Sequence, residues 1–189
     1  SEAMQHPGSV LMQDTAWPGY EEIPGWIMQG YGTMAAEAAQ QLEEYACPTH
    51  VFVQAGVGSL AGAIAGYFAG RYPQHPPRVV VVEAQAADCH YRSALAGDGQ
   101  IRKVDGDLST MMAGLACGEP NPVSWAILRN HAAAFVSCPD WVSALGMRML
   151  AAPCKGDVPV VSGESGAVGM GLLAAVMKSD EYRELRDAL

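Results

Sequence analysis

The chain has 189 residues, of which half are hydrophobic and 16% are charged, and its formal net charge is −9. This length and composition predict one globular domain over residues 1–189, with enough sequence to bury a core. The acidic balance argues against a nucleic-acid partner. No apolar run is long enough to cross a bilayer and the first residues lack a secretory-signal pattern, so we expect a cytoplasmic protein without membrane contact.

The cysteines are odd in number and widely spaced, and they form no CxxC pair; they are Cys47, Cys89, Cys117, Cys138 and Cys154. This pattern indicates reduced thiols and gives no zinc motif. We expect most of them to be small core residues, and we predict no metal site.

The N-terminal part contains one polar residue of interest. Residues 9–12 (SVLM) predict a short strand that ends near Asp14, and the end of a buried strand is where α/β sheets place ligand groups. The alternative for Asp14 is an Asx turn or a helix cap. A proline- and glycine-containing loop through Trp26 comes next, followed by a predicted helix over residues 31–45 with Thr33 as its N-cap.

Residues 51–62 (VFVQAGVGSLAG) combine a short apolar strand, a glycine-rich turn and the start of an alanine-rich helix that extends to Arg71. Gly56 and Gly58 lack Cβ atoms, so the backbone can turn sharply and bring its N–H groups close to a ligand. These groups and the helix N-terminus predict a phosphate site. A tight turn without a ligand is the alternative.

The alternation of strands and helices continues through the rest of the chain. The RVVVVEA segment predicts a strand that is buried on both faces, as in a parallel sheet. His75 and His90 are predicted to be surface residues, since neither has a second ligand at metal spacing. The remaining predicted elements are a helix over 88–95, a helix over 124–134, a strand over 135–138, a helix over 141–150 capped by Asp140, a glycine turn over 162–166, a helix over 167–178 and a solvated helix start over 179–189.

This alternation predicts an α/β fold with a mainly parallel sheet and helices on both faces. Ligands of such sheets collect at the carboxyl ends of the strands. We therefore expect Asp14, the Gly56 turn and the Gly163 turn to share one edge of the sheet.

The Gly56 turn has two functional interpretations. Residues 56–61 match the dinucleotide pattern G-x-G-x-x-[GA], and Glu83 ends the next strand, roughly 20 residues further on, where a ribose-binding acid is expected. A nicotinamide dinucleotide-binding domain is therefore one hypothesis, although it gives the second glycine turn no role. The other interpretation is a pyridoxal phosphate held by its phosphate group. A non-catalytic interaction domain with small-residue surfaces is a third hypothesis.

Several segments resemble the diaminopropionate ammonia-lyase family, a member of the fold-type II group of pyridoxal-phosphate enzymes, which also includes tryptophan synthase β chains and threonine dehydratases. They are QDTAWPGYEEIPGWIMQGYGT, FVQAGVGSLAGA, VVVVEAQ, MMAGLACGEPNPVSW and SGESGAVG. The resemblance implies a tryptophan synthase β-like fold, pyridoxal 5'-phosphate as cofactor and α,β-elimination of 2,3-diaminopropionate to pyruvate and ammonia. It further implies a small amino-acid substrate and a cytoplasmic homodimer.

The resemblance also implies site residues. The segment that matches the family's cofactor-phosphate loop consists of Gly56, Val57, Gly58, Ser59 and Leu60. Asp14, in the motif QDTAW, matches an active-site aspartate proposed to handle protons at the substrate. Glu164, in SGESGA, resembles the acid near the pyridine ring in tryptophan synthase β chains. The cofactor acts as an electron sink, and the protein supplies orientation and proton transfer.

Such an enzyme needs a lysine that forms a Schiff base with the cofactor. The lysines of this chain are Lys103, Lys155 and Lys178. None lies in a segment that resembles the family's lysine segment, which would precede residue 1. We therefore expect this chain to be a large-domain fragment of a longer enzyme, able to hold the cofactor phosphate but inactive alone.

Overall fold

A computed structural model describes residues 8–189, so residues 1–7 of the predicted domain lie outside the described residues. The strands are β1 (His50–Gln54), β2 (Arg78–Ala84) and β3 (Ala132–Cys138). The helices are α1 (Glu22–Leu42), α2 (Ser59–Arg71), α3 (Cys89–Ala96), α4 (Pro122–His131), α5 (Asp140–Ala151), α6 (Glu164–Lys178) and α7 (Arg183–Ala188). Short 3-10 turns cover Gln85–Ala87, Ala113–Leu115 and Asp180–Tyr182.

The strands form a parallel sheet in the order β1-β2-β3. Val79 and Val81 of the central strand β2 pack on one side, in a hydrophobic cluster with residues of α1, α2 and α4. Val80 and Val82 pack on the other side, in a second cluster with residues of α5 and α6. The sheet therefore has helices on both faces, which confirms the predicted fold class.

The four valines are almost completely inaccessible to solvent, at 0 to 2% exposure. Full burial of a valine side chain contributes about 1.5–3 kcal/mol relative to exposure, so β2 is a main source of stability. It also fixes the position of the adjacent strand β1, whose end leads into the glycine-rich turn.

The first helix begins earlier than the sequence predicted. α1 starts at Glu22 instead of Tyr31 and includes Pro24, while Thr33 lies inside the helix and is not its N-cap. A proline in the first turn of a helix is tolerated because its missing N–H has no intrahelical partner there. Within residues 8–189, no helix combines the length and apolar character needed to cross a membrane.

The strand predicted over residues 9–12 is wrong, because this segment is irregular and pairs with no strand. The Tyr20 side chain holds it instead. The Tyr20 hydroxyl donates to the carbonyl of Leu11 at 2.7 Å and accepts from the N–H of Gln13 at 3.1 Å. Asp14 therefore follows a tethered loop and not a strand.

Other predicted boundaries also differ. α4 begins at Pro122 with Asn121 as its N-cap and ends at His131, where β3 follows directly. Asp140 is the first residue of α5 and does not cap it: its carboxylate accepts from the N–H of Met111 at 3.0 Å and from the Thr110 hydroxyl. α6 starts at Glu164, inside the segment predicted as a turn.

Candidate functional site

The turn between β1 and α2 forms one wall of a cavity of about 260 Å³. Gly58, at the start of α2, has φ +93°, a left-handed conformation that favours glycine. The residues that line the cavity are Asp14, Tyr31, Gln54, Ala55, Gly56, Val57, Gly58, Ser59, Leu60, Gly114, Leu115, Cys117 and Ser165. All five residues of the predicted phosphate loop thus face one cavity, together with Asp14.

The backbone at this wall is suited to an anion. The N–H of Gly62 donates to the carbonyl of Gly58 at 2.8 Å, so the N–H groups of the three residues before Gly62 have no acceptor within α2. Unpaired N–H groups and the positive end of the helix dipole favour a phosphate. α6 also begins at this cavity and contributes Ser165 to its lining.

Among the described residues, no lysine or arginine side chain lines the cavity. A phosphate group there would therefore be held by backbone N–H groups and helix N-termini and not by an ion pair. This is the kind of binding expected of a glycine-rich turn.

The structure brings Asp14 to the phosphate loop, as expected, but through a contact that the sequence did not predict. The Ser59 hydroxyl donates to the backbone carbonyl of Asp14 at 2.6 Å. The buried Ser59 hydroxyl thus holds Asp14, and the Ser59 backbone N–H, in the first turn of α2, has no acceptor within that helix. The Asp14 side chain is half-buried at the cavity.

Glu164 lies at the first turn of α6 with an exposed side chain and is not among the lining residues. Its backbone carbonyl accepts a hydrogen bond from the Ser143 hydroxyl at 2.5 Å, which fastens α6 to α5. Its neighbour Ser165 reaches the cavity instead.

A buried Glu83–His90 pair lies beneath the loop, so the prediction of His90 as a surface residue is wrong. Glu83 Oε1 accepts from His90 Nδ1 at 2.8 Å and from the His90 N–H at 2.9 Å, and Oε2 accepts from the Tyr91 N–H at 2.6 Å. Glu83 is completely inaccessible to solvent and its oxygens are engaged. It cannot contact a ribose, so the nicotinamide hypothesis is not supported.

The side chains of Glu83, Cys89 and His90 are close enough to hold a metal ion, since their ligand atoms lie within 4.8 Å of one another. The direct hydrogen bond between Glu83 and His90 accounts for this proximity. The Cys89 Sγ lies 3.7 Å from Glu83 Oε1 and 3.9 Å from the Gly56 carbonyl, and burial, reinforced by the Glu83 carboxylate, raises the pKa of this thiol. The three residues therefore form a hydrogen-bonded support of the loop.

Sequence reasoning missed a second part of the cavity lining, Gly114, Leu115 and Cys117, which packs directly against Gly56 of the loop. Burial raises the pKa of the Cys117 thiol, a hydrogen bond from the Val57 N–H opposes this shift, and the nearby Asp14 carboxylate adds to it. The segment MMAGLACGEP was noted only for its resemblance. Its mixture of small and apolar residues has no regular spacing that would predict a cavity lining.

Parallel strands covered by helices, a glycine-rich turn at a helix N-terminus and a carboxylate beside it are the features of an α/β protein with a candidate site for a phosphate-bearing ligand. The chain belongs to the family of pyridoxal-phosphate dependent enzymes, whose sequence profile matches residues 2–185. The cofactor of this family is pyridoxal 5'-phosphate. Its phosphate is an anion, and helix N-termini such as that of α2 are chemically suited to anions.

The chain is similar to diaminopropionate ammonia-lyase from Salmonella typhimurium (strain LT2), with 53% identity over 188 residues. This match covers 98% of the chain but 46% of the relative, so the chain spans about half the length of such curated relatives. The crystal structure of the Escherichia coli diaminopropionate ammonia-lyase, in complex with an aminoacrylate-PLP azomethine reaction intermediate, superposes with a TM-score of 0.89 at 52% identity, covering 98% of this chain and 46% of that one.

A more distant structure, the threonine deaminase from T.th., has the same fold. It superposes with a TM-score of 0.68 at 24% identity, covering 82% of this chain and 53% of that one.

Proposed function

We propose that this chain forms the cofactor-phosphate portion of a pyridoxal-phosphate dependent lyase that converts 2,3-diaminopropionate to pyruvate and ammonia by α,β-elimination. The observation that carries this proposal is the cavity that unites the Gly56–Leu60 loop with Asp14. The 53% identity to a diaminopropionate ammonia-lyase supports the choice of substrate.

The residues of this chain would bind and orient the cofactor and move a proton. The N-termini of α2 and α6 would hold the phosphate group without a basic side chain. The bound cofactor supplies an electron sink for the elimination. The Asp14 carboxylate, close to the loop and half-buried, would transfer the proton at the substrate.

The lysine that attaches the cofactor would come from outside the portion that this chain represents. No lysine lines the cavity within residues 8–189. Lys103 is instead paired with Glu119, at 2.7 Å between Nζ and Oε1. We therefore expect the chain alone to bind phosphate at the loop and to release no pyruvate.

The proposal also covers three properties that follow from the resemblance. Residues 1–189 would form one domain, the large-domain part of the enzyme. Glu164 would lie near the pyridine ring once the remaining portion is in place. The enzyme would be a cytoplasmic homodimer, and exposed apolar side chains such as Val161, at 100% exposure, are available for contacts with further protein.

A chimera tests the proposed activity. In the Salmonella typhimurium relative, the 46% of the length that matches is replaced by this chain, and pyruvate release from 2,3-diaminopropionate is measured with added cofactor. We expect the chimera to be active. Asp14→Asn should lower kcat by about 10²–10⁴-fold, the usual contribution of a general acid or base.

The matched control is Asp105→Asn, the same change at an exposed turn. It should leave kcat unchanged. A folded chimera that binds the cofactor but releases no pyruvate would contradict the proposed reaction, and equal kcat values for the two variants would remove Asp14 from it.

A further inference from the structure

Asn121 lies where the Asp14 segment, the phosphate loop and α4 meet. It is completely inaccessible to solvent. Its Nδ2 donates to the Asp14 carbonyl at 2.8 Å and to the Ser59 hydroxyl at 2.8 Å, while its Oδ1 accepts from the Val123 N–H at 2.9 Å. One side chain thus satisfies polar groups of separate parts of the chain.

These bonds close a triangle between the site residues. The Ser59 hydroxyl, which accepts from Asn121, itself donates to the Asp14 carbonyl at 2.6 Å. The Asn121 backbone N–H also donates to the carbonyl of Val57 at 2.7 Å. Asn121 therefore holds the phosphate loop at two positions and fastens the backbone of Asp14 to the first residue of α2.

We propose that Asn121 is a positioning residue that fixes Asp14 relative to the phosphate loop, so that phosphate binding at the loop also changes the environment of the Asp14 backbone. The inference rests on the proposed function, in which Asp14 moves the proton. Asn121 contacts no reacting atom; it acts through Asp14 and Ser59.

Helix capping alone does not account for this arrangement. The cap of α4 uses only Oδ1, and serine or aspartate at an N-cap does the same. The Nδ2 group, by contrast, has both of its described oxygen acceptors in the Asp14 segment and the loop. Removal of this group takes away one of the two donors to the Asp14 carbonyl and the donor to the Ser59 hydroxyl, so Asp14 should be held less firmly against the loop.

The test is a titration of the ¹⁵N-labelled protein with inorganic phosphate, followed by NMR. In the parent protein we expect the amide signals of residues 56–60 and of Asp14 to shift with the same midpoint. In Asn121→Ser, which keeps a capping hydroxyl, the loop signals should still shift, whereas the Asp14 shift should fall by more than half. Asn130→Ser, the same change on the exposed side of α4, is the control and should behave as the parent.

The outcomes separate the two proposals. If phosphate shifts no loop signal in the parent protein, the proposed cofactor site is wrong and the inference is overturned with it. If the loop signals shift but Asp14 responds equally in the parent and in Asn121→Ser, only the inference is overturned. Asn121→Asp, which keeps the cap and the side-chain volume but removes the donor, should repeat the loss if Asn121→Ser does not fold.

The chimera provides a second readout. Asn121→Ser should lower kcat about tenfold, a modest displacement of a catalytic group, while cofactor affinity stays within about twofold. In the Asp14→Asn background the same change should cause no further loss, because no carboxylate remains to be positioned. An equal loss in both backgrounds would contradict the inference.

Discussion

Gly58 meets two requirements that no other residue type satisfies together. Its φ of +93° is left-handed, and a Cβ atom built on it would overlap Nε2 of His90. The imidazole cannot turn away easily, because Glu83 holds its Nδ1 in a fully buried hydrogen bond. Nε2 has no hydrogen-bond partner within the described residues, and the ring lies directly against Gly58 of the loop.

Gly58→Ala should therefore both destabilise the protein and disrupt the loop. The left-handed backbone costs about 1–2 kcal/mol for a residue with a Cβ, and overpacking adds about 1–3 kcal/mol. Gly106→Ala is the control, since Gly106 has φ +104° and open space around it. Urea unfolding should show the larger loss for Gly58→Ala, and phosphate affinity should fall only there. Equal losses in both measurements would contradict the role of His90.

At the scale of elements, the crossing of α5 and α6 determines where the second helix N-terminus lies. A Cβ on Gly146 would overlap the carbonyl of Ala167, and one on Gly171 would overlap that of Val142. The helices thus approach until backbone meets backbone, and these neighbours cannot move aside as a flexible side chain would. This close packing helps to place the start of α6, and with it Ser165, at the cavity.

Gly146→Ala tests this crossing. Since α5 and α6 would have to separate, we expect a loss of about 1–3 kcal/mol in the free energy of unfolding despite the better helix propensity of alanine. Gly30→Ala, in α1, meets nothing within 4 Å and should instead stabilise the protein by about 0.5–1 kcal/mol. Urea unfolding measures both changes, and a gain of stability in both variants would refute the argument.

At the scale of the whole molecule, the exposure of the cysteines corrects an expectation. Cys89 and Cys138 are buried, Cys117 is half-buried, and Cys47 and Cys154 are exposed. The prediction that most cysteines are core residues is therefore wrong. Burial raises the pKa of Cys138 from 9.0 to about 12. The higher pKa in the folded protein stabilises the fold fully at pH values below 9.0, and this contribution is lost as the pH rises towards about 12.

Alkylation with iodoacetamide should follow this division. Since their thiols are exposed, Cys47 and Cys154 should be labelled in the native protein. Cys138 should react only through opening of the fold and should become labelled together with the other cysteines in urea. Peptide mapping by mass spectrometry measures each site, and native labelling of Cys138 at the rate of Cys154 would contradict the packing.

Local patterns predicted the centre of the molecule well. Three elements lie within one or two residues of their expected bounds: the strand before the glycine turn (β1), α2 and the valine run of β2. Their predictions succeed because burial on both faces, or a turn between a strand and a helix, depends on residues that are adjacent in the sequence. The patterns failed where distant contacts decide. α1 extends over Pro24, and His90 is buried by the loop above it and by the carboxylate of Glu83.

The sequence by itself determined the family, the parallel α/β class and the glycine-rich turn between β1 and α2, since each depends on short runs of residues. Only the tertiary structure decided how the site is assembled. Asp14 is bonded to Ser59, 45 residues away, and to Asn121, 107 residues away. Such contacts depend on how the helices pack on the sheet, and this packing cannot be predicted from a pattern among residues that are neighbours in the sequence.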